Sequence, residues 1–151
     1  MGRLAYIFFA LAALLWAAVA LSAYMTAPAV LPPNTVVLQV GAATVSAEVA
    51  DTPALRATGL SGRTKLEEGH GMWFVFEEDG PWAFWMKDTL IPLDIIWVSA
   101  EGRVVHIARG VQPESYPQSF APATPARYVL EVPAGWAKTH GIVESQKIVV
   151  Q

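Results

Sequence analysis

The chain has 151 residues, of which 10 are Lys or Arg and 13 are Asp or Glu, giving a formal net charge of −3. This acidic balance, with no cluster of basic residues, argues against nucleic-acid binding, because neutralising phosphates requires grouped Lys and Arg side chains. The absence of cysteine excludes disulfides, thiolate metal sites, cysteine nucleophiles and attachment through a lipid-modified cysteine.

The N-terminal segment is an apolar run from Leu4 to Leu21 that follows Arg3. At about 1.5 Å per residue, a helix of this length crosses the hydrocarbon core of a bilayer. The segment is either an uncleaved anchor or a signal peptide cleaved near Ala18-Val19-Ala20, with a buried core helix as the third interpretation. The arginine on the leading side predicts an N-terminus in the cytoplasm and a domain on the periplasmic or extracellular side.

The sequence therefore divides into three parts. Residues 1–23 form the signal peptide or transmembrane anchor, and residues 24–34 form a linker rich in proline, which favours extended backbone. Residues 35–151 are enough for one domain with a single core. Five of the six tryptophans lie in this part, so apolar surface is available for burial.

The domain begins with two β-branched-rich runs, residues 35–40 and 43–50, which predict a hairpin turning at Gly41. Asp51-Thr52-Pro53 is typical of a helix start, and Gly59 of a helix end. Residues 72–76 and 82–87 are predicted to pair as strands across the turn Asp79-Gly80-Pro81.

A second predicted hairpin joins residues 93–99 to 103–109, and a proline-rich loop follows over residues 110–125. Residues 127–132 alternate, with Tyr128, Leu130 and Val132 on one face and Arg127, Val129 and Glu131 on the other, which predicts a half-buried strand. A short helix within 133–140 and a last strand over 147–150 complete the pattern. Seven or eight short strands with one or two short helices indicate a mainly β domain, a sandwich or a barrel.

Several stretches in a fixed order resemble one family. They are Asp51-Thr52-Pro53 through Gly59-Leu60-Ser61-Gly62-Arg63, Gly71-Met72 with Phe74 and Phe76, Phe84-Trp85-Met86-Lys87-Asp88-Thr89, Ile91-Pro92-Leu93-Asp94, Gly102-Arg103-Val104 and Tyr128-Val129-Leu130-Glu131. The sequence is similar to the domain of unknown function 192 family over roughly residues 36–150. The resemblance implies a compact jelly-roll-like β-sandwich, usually exported, and no established activity. This sequence has Asp88 where relatives often carry Asn, and Ser61 where many carry Met.

The segment from Trp82 to Asp94 is the best candidate site. A ligand-binding surface is predicted from Arg63, Trp85, Lys87, Asp88 and Asp94, in which the indole stacks on an apolar face and the charged groups form hydrogen bonds. The structural alternative is that the aromatic residues belong to the core while Lys87 pairs with Asp88 or Asp94. Convergence of Arg63, Trp85, Lys87 and Asp88 on one exposed concavity would favour the site.

Other chemistry has weaker support in the sequence. Asp88 and Asp94 have the residue types of a glycosidase carboxylate pair, which needs two acids about 5–10 Å apart. The three histidines are far apart in sequence, so no metal site is predicted, and His106 is expected to be partly buried and structural. No residue is assigned a catalytic role, and no cofactor is predicted.

Three functions remain open. The first is a non-catalytic ligand-binding or accessory module of the cell envelope, with a carbohydrate or another small polar ligand and the membrane contacted through the N-terminal helix. The second is a small hydrolase that acts on envelope glycans through the paired carboxylates. The third is a membrane-anchored assembly factor or accessory subunit whose protein partner is unknown.

Overall fold

The computed structural model describes residues 34–151, which contain nine strands and two short helices. In chain order they are β1 (Thr35–Val40), β2 (Ala43–Ala50), α1 (Pro53–Thr58), β3 (His70–Gly80), β4 (Phe84–Trp85), β5 (Leu93–Val98), β6 (Val104–Val111), β7 (Ser119–Phe120), β8 (Ala126–Pro133), α2 (Trp136–Thr139) and β9 (Ile148–Val150). The predicted targeting segment, 1–23, and all but the last residue of the predicted linker, 24–34, lie outside the described residues.

Seven strands form one curled sheet in the order β6-β5-β8-β3-β2-β1-β9, and β4 pairs with β7 in a separate two-stranded ribbon. The mainly β, sandwich-like class with two short helices is therefore confirmed. Within the large sheet, β2 and β3 run parallel, whereas the other neighbours are antiparallel. A purely antiparallel jelly roll has no such pair, so the sheet is mixed where the resemblance implied a jelly roll.

Local sequence signals placed several elements correctly. The hairpins β1–β2 and β5–β6 form as predicted. The Thr52 side chain accepts a hydrogen bond from the amide of Leu55 at the start of α1, and the chain leaves this helix at Gly59.

The predicted hairpin across Asp79-Gly80-Pro81 was wrong. Strand β3 pairs with β2 and β8, and β4 pairs with β7. Strand β8 is distant from β3 in sequence, and β2 is joined to β3 by a crossover that includes α1. A parallel pair such as β2–β3 requires a crossover connection. The backbone of residues 81–83 leads away from the large sheet toward the ribbon.

Strand β8 lies inside the large sheet, between β5 and β3, and is covered on both faces, so the prediction of a half-buried strand was also wrong. Leu130 packs in a core cluster with Trp73 and Ile96 on one face. Val129 packs on the other face in a second cluster that includes Phe74 and Trp97. Glu131, between Leu130 and Val132 within β8, is therefore buried as well.

Candidate functional site

A cavity of about 440 Å³ opens where the end of α1, strand β3, the ribbon strand β4 and the loop after β4 meet. Its walls carry five aromatic side chains, namely Phe74, Phe76, Trp82, Phe84 and Trp85. Polar groups occur at separate points around them, from Arg56 at one side to Lys87, Asp88 and Thr89 at another, with Glu131 beneath. This combination of an apolar lining and a few polar groups is typical of small-molecule sites.

The aromatic wall is built by ring contacts between β3 and the segment that follows it. Trp82 stacks on Phe76 with 4.1 Å between centroids, and Phe84 meets Phe74 edge to face at 4.8 Å. The indole of Trp82 also packs on Gly80, where a β-carbon would lie 3.0 Å from the ring. The Trp82 carbonyl accepts a hydrogen bond of 2.8 Å from the buried indole of Trp97. The wall is therefore fixed to the core of the large sheet.

Trp85 stands at the mouth of this cavity and is 54% exposed. Its backbone pairs with Ser119 in the β4–β7 ribbon, and its ring meets Tyr116 edge to face at 5.8 Å. An exposed indole held in place by its backbone offers a free apolar face to a ligand.

The loop that carries Lys87 and Asp88 is held through its backbone. The Lys87 carbonyl accepts from the Ser61 hydroxyl at 3.2 Å, and the Asp88 carbonyl accepts from the Gly62 amide at 2.8 Å. Asp88 adopts φ +56°, a left-handed conformation that Asn and Asp tolerate better than most residues.

Both charged side chains of this loop are exposed toward the cavity mouth. In the described part of the chain, no ion pair joins Lys87 to either Asp88 or Asp94. The structural alternative, in which Lys87 pairs with Asp88 or Asp94, is therefore not supported by an ion pair among these residues.

Glu131 forms the floor of the cavity, and the sequence analysis did not single it out. Its side chain is 5% exposed, and burial raises the pKa of its carboxyl from 4.5 to about 8. Among residues 34–151, no hydrogen-bond donor or cation contacts this carboxyl. A single Glu between Leu130 and Val132, sharing its face with the apolar Val129, is the sequence signal that indicates a buried acid.

Arg63, one of the five predicted ligand-binding residues, does not line the cavity. Its guanidinium forms a two-point ion pair with Glu48 on β2, with distances of 2.6 Å from Nη1 to Oε1 and 2.5 Å from Nη2 to Oε2. The hydrogen bond to Glu48 raises the pKa of Arg63 further above its ordinary value. The Arg63 guanidinium thus binds a carboxylate, as its chemistry predicts, but that carboxylate is the Glu48 side chain of the same chain.

Asp94 is also placed away from the cavity and is fully buried. Its Oδ1 accepts from the Gly110 amide at 2.7 Å, and its Oδ2 accepts from the Ala137 amide at 2.9 Å. Both oxygens therefore join β5 to the end of β6 and to α2. Of the predicted site residues, the structure brings together Trp85, Lys87 and Asp88 in one concavity, and it separates Arg63 and Asp94 from them.

The histidines show no metal-binding arrangement. Within residues 34–151, no group of three His, Asp or Glu side chains is placed to hold a metal ion. His106 is half-buried, with its ring 5.3 Å from that of Trp97 and its Nδ1 3.7 Å from a Glu144 oxygen. These neighbours agree with the predicted partly buried histidine.

Two solved structures resemble this chain. One, from Sinorhizobium meliloti and described as a "putative transcription regulator", is 30% identical, with a TM-score of 0.71, covering 77% of this chain and 92% of that protein. The other, a protein of unknown function from Novosphingobium aromaticivorans, is 35% identical, with a TM-score of 0.71, covering 76% of this chain and 83% of that protein.

No curated protein matches the sequence. A family model does match, over residues 36–150, and its description is "Uncharacterized ACR". This range includes every strand from β2 to β9 and all the residues of the cavity. The chain belongs to the domain of unknown function 192 family.

Proposed function

We propose that the domain is a non-catalytic binding module for a small polar ligand that has an apolar face. The observation that carries this proposal is the 440 Å³ cavity, which is lined by aromatic rings. At its mouth lie the exposed Trp85 and the side chains of Lys87 and Asp88, which form no ion pair with any residue of 34–151. The volume falls in the range of about 300–1,000 Å³ that small-molecule sites occupy. The rings provide stacking area, and the charged groups provide orientation.

Binding is favoured over hydrolysis because of how the carboxyl groups are used. A glycosidase needs two acids facing one substrate, with one of them positioned as the nucleophile or the base. Asp88 lines the cavity, but Asp94 is buried elsewhere with both oxygens bonded to backbone amides. The proposed pair for glycan hydrolysis therefore has no geometric support.

The place of action is proposed to be the cell envelope, with the domain outside the cytoplasm. The support is the apolar run after Arg3 in the sequence, which lies outside the described residues. None of the helices in residues 34–151 has the length and apolar character to span a bilayer. The role of membrane-anchored assembly factor or accessory subunit is compatible with the same anchor, and it would use the helix rather than the cavity.

The first experiment is a thermal-unfolding screen of the full chain against neutral sugars, organic cations and carboxylates. We expect at least one class to raise the unfolding temperature of the wild type, and we expect Trp85→Ala to abolish that rise while remaining folded. Val143→Ala is the matched control, because Val143 is 58% exposed and does not line the cavity. Stabilisation that persists in Trp85→Ala, or no stabilisation by any compound, would contradict the proposal.

A further inference from the structure

The floor of the cavity presents one polar group to a ligand, the carboxyl of Glu131. In the large sheet this residue pairs with Met72 on β3 and with Ile95 on β5, so its nearest neighbours on the same face are apolar. It is 95% buried and has no partner in the described part of the chain, although it borders a cavity large enough for a small molecule. A buried polar group without a partner is costly, and a ligand that hydrogen-bonds to it removes part of that cost.

The charges around the cavity limit what the ligand can be. The Arg56 guanidinium donates to the carbonyls of Asp51 and Val75 at 2.7 Å each and lies 5.1 Å from the centre of the Phe76 ring. Lys87 adds a second positive charge at the mouth, and Asp88 is the one acid beside it. An organic cation would meet these two positive groups and a neutral floor, since burial keeps the Glu131 carboxyl protonated at neutral pH.

An anionic ligand is disfavoured for a different reason. The Arg56 guanidinium already donates to two backbone carbonyls and packs on an aromatic ring, so of the positive groups that line the cavity within residues 34–151 only Lys87 has no bonded partner. Asp88, which follows Lys87 in sequence, carries a negative charge that repels an anionic ligand at the mouth of the cavity. The aromatic wall also contributes more to a ligand with an apolar face than to a small, strongly hydrated ion.

We propose that the cavity binds an uncharged saccharide ring, which stacks on the aromatic wall and hydrogen-bonds to the buried carboxyl of Glu131. This inference rests on the proposed binding function and assigns its ligand class. A hydroxyl group accepts a hydrogen bond from the protonated carboxyl and donates one to its carbonyl oxygen, so both halves of the group are satisfied.

The proposal predicts the sign of a pH effect on binding. A neutral ring that fills the cavity removes the remaining water from Glu131, and it therefore binds the protonated form better. The charged groups that line the same cavity are Arg56 from α1 and Lys87 and Asp88 from the loop after β4; β3 contributes only aromatic side chains to it. Because the pKa of Glu131 is about 8, the Glu131 carboxyl is protonated in only about a tenth of the molecules at pH 9.

The test is calorimetric titration of the full chain, in a detergent without a sugar headgroup, with cellobiose, maltose and N,N′-diacetylchitobiose. Glucuronate serves as an anionic ring, and tetramethylammonium as an organic cation. We expect a disaccharide to bind at pH 7 and its Kd to rise by about tenfold at pH 9. Glu131→Gln keeps a neutral hydrogen-bonding group, so we expect it to bind with no such rise, whereas Glu131→Leu weakens binding by at least about tenfold while circular dichroism shows the native fold.

The outcomes separate the ligand class from the binding function. Tighter binding of tetramethylammonium or glucuronate that depends on Trp85 would overturn the saccharide assignment and leave the binding module standing. A disaccharide Kd that is the same at pH 7 and pH 9, in both the wild type and Glu131→Gln, would remove Glu131 from the site. If none of these probes and no compound of the wider screen bound, both the saccharide assignment and the proposed binding function would be contradicted.

Discussion

The backbone carbonyl oxygen of Glu131 leaves no room for a side chain on Gly71, because a β-carbon built on Gly71 would lie 2.6 Å from that oxygen. Gly71 also has Val45 and Val132 side-chain carbons within 3.2 Å of the same point. Gly71 is the neighbour in β3 of Met72, whose register partner is Glu131. The close approach of β3 to β8 at the floor of the cavity therefore depends on the absence of a side chain at residue 71.

Gly71→Ala is expected to destabilise the domain by about 1–3 kcal/mol, the usual cost of adding a methyl group to a closely packed interior. The obstructing atom is backbone, so rotation of a side chain cannot relieve the contact. Urea unfolding followed by tryptophan fluorescence measures the change. Ser119→Ala, at an exposed ribbon position, is the control and should change stability by no more than about 0.5 kcal/mol. Equal stability of the two variants would show that β3 and β8 separate easily here.

The buried carboxyl of Glu131 makes the stability of the domain depend on pH. Folding raises its pKa from 4.5 to about 8, so between these values the folded chain holds a proton that the unfolded chain has released. The folded state is therefore favoured most at the acid end of this window, and its advantage decreases as the pH rises toward 8. By pH 7 this one group lowers the free energy of unfolding by about 3 kcal/mol relative to its value below pH 4.5.

The check is to compare wild type and Glu131→Gln by urea unfolding from about pH 5 to about pH 10. Gln cannot ionise, so the wild type should lose stability relative to the variant as the pH rises, and the difference should level off above pH 8. Glu77→Gln, at an exposed position on β3, is the control and should follow the wild type. Parallel curves for wild type and Glu131→Gln would mean that the carboxyl is hydrated in the folded protein.

The sequence alone was enough for those elements whose signals are local. A β-branched run on each side of Gly41 specified the β1–β2 hairpin, and Thr52 with Pro53 specified the start of α1. Trp85, Lys87 and Asp88 reached one cavity because they are adjacent in the chain. In each of these cases the relevant neighbour lies within a few residues.

The missed features depend on partners far away in the chain. Alternation along residues 127–132 does not report that a core cluster covers each face of β8, and so Glu131 was placed on one face of a half-buried strand. Arg63 has the chemistry of an anion site, but its anion is Glu48, which the fold brings from β2. Residue type indicated what each group can bind, and only the tertiary structure identified what it does bind.

The N-terminal run gives a prediction that does not depend on the cavity. A C-terminal fusion to alkaline phosphatase, which is active only after export, should be active in a bacterial host. Replacing Leu11 and Leu14 by Arg interrupts the apolar run, and we expect export to fail because a charge at the centre of a membrane segment costs about 2.5–3.5 kcal/mol. An inactive wild-type fusion, with the protein in the soluble cytosolic fraction, would end the envelope assignment.

The last prediction concerns Asp94, where a structural role and a ligand-binding or catalytic role give different results. Each of its oxygens accepts a backbone amide, Gly110 at 2.7 Å and Ala137 at 2.9 Å, in a fully buried position. Asp94→Asn replaces one acceptor by an NH₂ group facing another donor, and it should lower the free energy of unfolding by about 2 kcal/mol. Asp94→Ala leaves both amides unpaired and should cost about 3–5 kcal/mol.

Asp88→Asn is the matched control for these Asp94 variants, since it makes the same chemical change at an exposed position. Asn tolerates the left-handed backbone at φ +56° at least as well as Asp, so stability should change by less than about 0.5 kcal/mol. Urea unfolding at pH 7 compares the three variants. If Asp94→Asn were as stable as Asp88→Asn and instead lost ligand binding or turnover on envelope glycans, Asp94 would belong to the site and its amide contacts would be secondary.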